Sequence, residues 1–517
     1  MIIIKGNCNP VTNLMKFFNK TTSNKIVLII AVFLSVYIIK TGAYIRWLGY
    51  ERIPDIGIFD ERNYALQGLS IRNNGVPAAW SDSGAYEYGF HPEDVQAKFI
   101  DLSIVANGLK PNLKNYPKFP KPLYIVREYD FGFGKQQLKL VQPFMDHSPI
   151  GGLISSLGFK DKVSNFTEIT PDKYRVPALY IGILNSILLI IFTYLITKNV
   201  FIGIVSIGIY NSVPIYILSS RFALLENYLI PFTLIQLIFL LLSKKVKHYS
   251  LLFLFMSGLV SGLGILIKET GVGFAIGSVV LLFLWRSNLK EKIAFLSAAF
   301  LPCVTYAIWS LWLSPQLFKD IVIFNSSRRF LGSLSFLSIL PTLRFPNFPL
   351  DGWWIWGFIS LLFLSSLRLR KYYILLLPFL CHILTVLFLP NMNYPWYFLA
   401  TVPFLVVASA IILFKIIKNP KFSSILSFAL IPLSSSLYWG NTVYNFPPNI
   451  NIYRLVVFGF IFIGLIRIIK SKSKIIQLIW YIACIAIFYE IYKWNRFSTL
   501  YIIDHWGKLP FPSFPAL

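Results

Sequence analysis

Nine ionisable residues stand at the edges of long apolar runs: Asp60, Glu61, Asp146, His147, Arg175, Arg221, Glu226, Lys268 and Glu269. Charge at membrane depth is costly, and such groups usually face a cavity or one another. For an Arg or Lys the ordinary alternative is snorkelling, with the stem in the apolar layer and the charge among headgroups. Glu226 lies about one turn inside its apolar run and needs a partner; Arg221 is the nearest in sequence. Asp60 and Glu61 open the stretch GIFDERNYALQGLSIRNNGVP (57–77), which reads as a short helix with an Asp cap, acids in its first turn and a glycine stop. Ala65, Leu69 and Arg72 share one face of it and Tyr64, Gly68 and Ile71 another, so the helix is expected to lie along a membrane surface. Capping takes one carboxylate, Asp60, and leaves Glu61 surplus to that role. Asp146 and His147 precede Pro149 and Gly151-Gly152, residues expected to force a turn. A histidine beside an acid suits a metal ligand, a proton shuttle or a polar anchor equally.

These residues are held by a chain of unusual composition. Of 517 residues, 56% are hydrophobic and only 14% charged. An average soluble domain carries about 25% charged residues. Mean hydropathy is +0.63, which excludes disorder, collagen, coiled coil and a secreted disulfide scaffold. One apolar run covers 26–44, after Lys5, Lys16, Lys20 and Lys25, and is long enough for a retained anchor. Twelve further apolar segments follow between 176 and 493, several shorter than a full span. The expected fold class is an all-α polytopic membrane protein with about 13 transmembrane helices, in a range of 11 to 14, and a large first extracytoplasmic loop carrying juxtamembrane helices.

Charge sets the orientation. With the N-terminus inside, the cytoplasmic segments hold 21 Lys and Arg against one acid, Glu291, while the loop 45–174 holds 15 of the chain's 22 acids. This positive-inside pattern accounts for the net charge of +26 without a nucleic-acid partner. The organisation is a cytoplasmic N-terminus (1–25), a first transmembrane helix (26–44), an extracytoplasmic loop (45–174), transmembrane helices of a catalytic module (175–313), an extracytoplasmic loop (314–352), C-terminal transmembrane helices (353–493) and an extracytoplasmic tail (494–517). The 314–352 segment, with Arg328 and Arg329, is either a lid or a connector. Asn391–Tyr397 reads as an interface belt. Of the sequons at Asn19, Asn165 and Asn325, the last two would be external. Cys8, Cys303, Cys381 and Cys484 are scattered and form neither a metal spacing nor a disulfide framework.

The order of these motifs resembles the membrane-embedded (GT-C) glycosyltransferases that use polyprenyl-phosphate sugars, in particular the dolichyl-phosphate-mannose–protein O-mannosyltransferases and the lipid A aminoarabinose transferases. Phe59-Asp60-Glu61 matches a Phe-Asp-Glu motif, and His147-Ser148-Pro149-Ile150-Gly151 a His-Pro-Pro-Leu-Gly motif. Arg175 matches an arginine that opens the next span. Ser220-Arg221-Phe222-Ala223-Leu224-Leu225-Glu226 matches Ser-Arg-Tyr-x-Leu-Leu-Asp, and Lys268 a lysine between two later spans. The likeness covers 45–275; beyond it stand only the topology and Trp396, Tyr397 and Pro403. Ser148 and Glu226 depart from the family pattern, and no soluble sugar-binding insert of the eukaryotic kind is visible.

The resemblance implies a transfer of a mannose-like hexose or a related pentose from a polyprenyl-phosphate donor to a hydroxyl of a protein, lipid or glycan, on the extracytoplasmic side of a cell membrane. It implies that Asp60 is the base of an inverting displacement, with Glu61 beside it as a catalytic carboxylate. Arg221, Lys268, Arg175 and His147 would bind the donor phosphate. Asp146, Glu226 and Tyr397 would support the site or meet the acceptor. Beyond the lipid-linked sugar donor the resemblance names no definite cofactor; a divalent cation on Asp60, Asp146 and His147 is the one candidate. The competing class is a polytopic transporter or flippase, which calls for polar residues near mid-membrane and for an internal repeat; neither stands out in the sequence.

Overall fold

The computed structural model describes residues 25–52, 60–81, 83–86, 123–130, 135–160, 163, 168–326, 352–367, 369–388, 395–437 and 450–505. Lys5, Lys16, Lys20, Cys8, Asn19, Phe59, Asn165, Arg328, Arg329, the 391–394 stretch and the 506–517 part of the tail lie outside them.

An apolar chain in hydrocarbon must satisfy its own backbone, which helices do. Among the described residues nine helices are long and apolar enough to cross a membrane: Leu28–Arg52, Pro171–Thr197, Leu225–Lys245, Lys247–Ile267, Leu289–Leu313, Arg370–Phe388, Trp396–Lys418, Asn451–Ile469 and Lys474–Asp504. Four more apolar helices, Val200–Tyr210, Glu269–Leu284, Gly352–Ser366 and Phe422–Leu437, are shorter. Together they fall on the thirteen apolar segments of the sequence, and the protein is an all-α multi-pass membrane protein. One short case has a visible cause. The segment 200–218 divides into α5 (Val200–Tyr210) and α6 (Pro214–Ser219) at Asn211-Ser212-Val213, because Pro214 disfavours helix in the residue before it and opens a new one.

The site is framed by α1 (Lys25–Trp47), α2 (Asp60–Asn74), α3 (Pro149–Ser156), α4 (Val176–Thr197), α7 (Leu225–Lys245) and α8 (Ser250–Ile267). The helix read at 57–77 is α2, stopped at Gly75 with φ of +75°, a backbone that glycine adopts freely. It differs from expectation in its surroundings. Asn63 through Ser70 are all buried, so protein encloses the helix instead of leaving one face on a membrane surface. The cause is α3. Gly151 and Gly152, expected to turn, are helical and let α3 lie directly on its neighbours. A Cβ on Gly152 would stand 2.8 Å from the Tyr64 carbonyl oxygen, and one on Gly68 would collide with the Gly152 carbonyl.

Between α2 and α3 the loop carries a small antiparallel sheet that the sequence did not announce, in the order β1-β3-β2: β1 (Ala79–Trp80), β2 (Leu123–Asp130) and β3 (Lys135–Gln142). Its register pairs Ala79 with Val141 and Leu123 with Gln142. Asn63 of α2 locks β1 in place, exchanging bonds of 3.0 and 2.8 Å with the Trp80 backbone. Val76, Ala79, Tyr86, Phe144 and Met145 form a small apolar core with Leu313, Leu317 and Ile321. The sheet is thereby seated on the end of the Leu289–Leu313 helix.

Candidate active site

A buried latch fixes the head of α2. Glu61 and Arg175 are both fully buried; Nη2 donates to Oε2 at 2.5 Å and Nε to Oε1 at 3.0 Å. Arg175 Nη1 also donates to the Tyr50 carbonyl at 2.8 Å, and the Ala223 N–H donates to Glu61 Oε1 at 2.6 Å. One carboxylate therefore ties α2 to the head of α4 and to the turn before α7. Removing one partner of such a pair leaves a buried bare charge and costs about 3–5 kcal/mol. Glu61, for which the sequence also left the role of holding a cation in place, holds Arg175, and both side chains are fully buried.

Asp60, one residue earlier, is half-buried and within electrostatic range of Tyr64 and Lys268. Lys268 Nζ lies 3.7 Å from Glu226 Oε1 and 4.9 Å above the centre of the Tyr397 ring. The partner of Glu226 is thus Lys268, where the sequence had pointed to Arg221; the close packing of α7 on α8, not sequence proximity, makes the pair. Neither Glu226 oxygen has a hydrogen-bond partner among the described residues. Burial works against the Lys268 charge, but Tyr397, Glu226, Glu269 and Asp60 outweigh it and hold its pKa above the usual lysine range. Burial, then Asp60 and Glu226, pushes the Tyr64 phenol up, so it stays a neutral donor.

At the rim His147 Nδ1 lies 3.0 Å from Glu269 Oε1, and the Glu269 side chain is 57% exposed. The Asp146-His147 turn is bolted down by Gln67 Nε2, which donates to the His147 carbonyl at 2.9 Å, and by Ser148 Oγ, which donates to the Leu266 carbonyl. Asp146 itself turns to the small sheet, where the Ser81 hydroxyl donates to it. Among the described residues no three of His, Cys, Asp or Glu assemble as a cation site. Asp146 and His147 of the candidate set bind different neighbours, Ser81 and Glu269.

Arg221 is fully buried, and its Nη2 donates to the Leu48 carbonyl. Its Nε and Nη1 have no partner among the described residues. Burial, then Arg175, disfavours the Arg221 charge, Glu51 offsets part of this, and Arg46 adds to it. A guanidinium with two unspent donors in a fixed fork is a receptor for an oxyanion.

The structure thus brings together Asp60, Lys268, Glu226 and Tyr397, with His147 at the rim, and sets Asp146 apart. Sequence reasoning gave no role to Glu269, although its place beside Lys268 at an apolar boundary was visible. Tyr64 and Arg46 carried no signal beyond their types.

The fold is similar to that of solved ArnT structures. ArnT from Cupriavidus metallidurans bound to undecaprenyl phosphate superposes with a TM-score of 0.52 over 90% of this chain and 77% of its own, at 12% identity. Its apo state gives 0.52 over 90% and 76%, at 11% identity. A family model described as dolichyl-phosphate-mannose-protein mannosyltransferase matches residues 163–312. No curated protein sequence matches the chain. The family match over residues 163–312 and the fold agree with the resemblance read from the motifs.

Proposed function

We propose that the protein is a membrane glycosyltransferase that moves a sugar, a mannose-like hexose or a related pentose, from a polyprenyl-phosphate carrier to an acceptor hydroxyl on the extracytoplasmic side. The observation that carries the reading is the half-buried Asp60 at the head of a helix latched through Glu61 to the turn that carries Arg221, with Lys268 within electrostatic range and two donors of Arg221 unspent among the described residues. The undecaprenyl phosphate bound to ArnT supports a lipid-linked donor.

In this mechanism the acceptor hydroxyl gives its proton to the Asp60 carboxylate as its oxygen attacks the anomeric carbon. The bond from that carbon to the phosphate oxygen breaks on the opposite face, and its electron pair leaves with the phosphate. Configuration inverts, as in single-displacement glycoside chemistry. Arg221 and Lys268 receive the departing charge, and His147, oriented by Glu269, adds a donor at the rim. Tyr397 and Glu226 hold Lys268 in place. Glu61 and Arg175 act by positioning Asp60, since both are fully buried and paired with each other. Acceptors of three kinds, protein Ser or Thr, lipid and glycan, fit this chemistry equally.

The test is incubation of the purified protein with a panel of radiolabelled polyprenyl-phosphate sugars, scored for transfer or donor hydrolysis. Release of the sugar from one donor, lost in Asp60→Asn, is the expected result. Activity on none of the panel, or full activity in Asp60→Asn, overturns the reading.

A further inference from the structure

Among the described residues, three buried arginines stand together, Arg46 and Arg175 lying within electrostatic range of Arg221, and a buried lysine, Lys268, stands by Glu226. Arg175 is neutralised by Glu61 and Lys268 by Glu226, whereas Arg46 and Arg221 form no ion pair among the described residues. Arg46 is fully buried at the end of α1. Its Nε donates to Ser220 Oγ at 2.7 Å, its Nη1 to Asn211 Oδ1 at 2.5 Å and its Nη2 to the Tyr210 carbonyl at 3.3 Å. Its guanidinium carbon lies 4.7 Å from the centre of the Tyr210 ring. These acceptors are neutral; they satisfy the N–H groups and leave the charge standing. Gly182 makes the room, because a Cβ there would lie 2.8 Å from Arg46 Cδ. The two arginines are cross-braced: Arg46 bonds Ser220, the neighbour of Arg221, and Arg221 bonds the Leu48 carbonyl, two residues after Arg46. A bare positive charge inside protein is expensive, and a pair of them more so.

The reaction proposed above changes the charge of what this place holds. The donor is a phosphodiester with a single negative charge. The lipid phosphate that leaves is a monoester, whose second ionisation near pH 6 gives it a charge of about −2 at neutral pH. We propose that Arg46, buried behind Arg221, makes the pocket selective for the dianionic lipid phosphate that departs over the monoanionic donor that arrives. The inference rests on the glycosyl-transfer reading. Arg46 touches no reacting atom; it is a positioning residue that acts through its charge and through Ser220. Its charge is worth most where the phosphate charge grows, and such differential binding is what lowers a barrier.

The experiment measures binding of a polyprenyl phosphate and of its methyl ester, a dianion and a monoanion of the same lipid, to the purified protein. Wild type is expected to prefer the phosphate by about tenfold or more, Arg46→Gln to lower that preference to about twofold, and Arg46→Lys to retain most of it. Asn211→Asp places a carboxylate on Arg46 without removing it, and is expected to lower the preference as Arg46→Gln does; it serves as the second variant if Arg46→Gln fails to fold. Equal binding of both lipids by wild type overturns the inference, as does an equal weakening of both in Arg46→Gln and Arg46→Lys, which marks a purely structural arginine. The donor panel separates the failures. Wild type that transfers sugar yet binds both lipids equally sinks this inference alone. Wild type that discriminates the lipids yet transfers no sugar sinks the glycosyl-transfer reading.

Discussion

Helix α7 carries a lysine–glutamate pair at each end, and the pairs are built differently. At one end Lys244 Nζ meets Glu291 Oε2 at 3.4 Å and the Ser287 hydroxyl at 2.7 Å; Ser250 donates to Glu291 Oε1 at 3.1 Å, and Asn288 accepts the Glu291 N–H at 2.8 Å. Both side chains keep some solvent, 24% and 12% exposed. At the other end Lys268 and Glu226 are 6% and 1% exposed and 3.7 Å apart, and both Glu226 oxygens lack hydrogen bonds among the described residues. The first pair joins helices and is satisfied. The second is drier, looser and unfinished. A fold gains nothing from buried polarity left open, and on the function proposed above this is the end that the substrate completes.

The comparison can be broken or sharpened by substitution. The largest effect is expected at Asp60. Asp60→Asn should lower transfer by about 10²–10⁴ with unfolding temperature unchanged, the range for losing a general base; more than a tenth of wild-type rate remaining rules out that role. Glu61→Gln bares Arg175 and should cost about 3–5 kcal/mol of stability, read as a lower unfolding temperature and poor yield. A stable Glu61→Gln protein that is merely inactive would place Glu61 in the chemistry instead. Arg221→Ala should lower turnover by about 10²–10³, as for loss of one charge-stabilising donor, and impair donor saturation while the acceptor KM holds; a change in acceptor KM alone contradicts the assignment. Paired substitutions then compare the two ends directly. The coupling between Glu226 and Lys268 should reach about 1–3 kcal/mol, and that between Lys244 and Glu291 should stay below about 1 kcal/mol. Equal couplings would remove the distinction drawn between the ends.

What was legible in the sequence follows from what the bilayer enforces. Thirteen apolar stretches had to be helices, and each falls on one. Asp60, Lys268 and Arg221 stood out because ionisable groups beside such stretches have few structural uses. Packing partners were not legible. Glu226 lies close in sequence to Arg221 yet binds Lys268, a choice made by the fit of α7 on α8. Gly151 and Gly152 carry the composition of a turn, and only the nearness of α2 shows that they are a contact surface. Arg46 carried no signal beyond its type; three neutral acceptors on distant elements make it a buried charge.

The crossing of Gly68 over Gly152 has a mechanical consequence. From Gly68 back to Asp60 is about 12 Å of helix at 1.5 Å per residue, so α2 works as a lever with its fulcrum at that crossing. Prising the crossing apart by one methyl group would swing the far tip by roughly an ångström, a displacement able to cost on the order of 10² in rate. An alanine there would touch neither sugar nor phosphate, yet it would detune the reaction as a misaligned bearing detunes a machine.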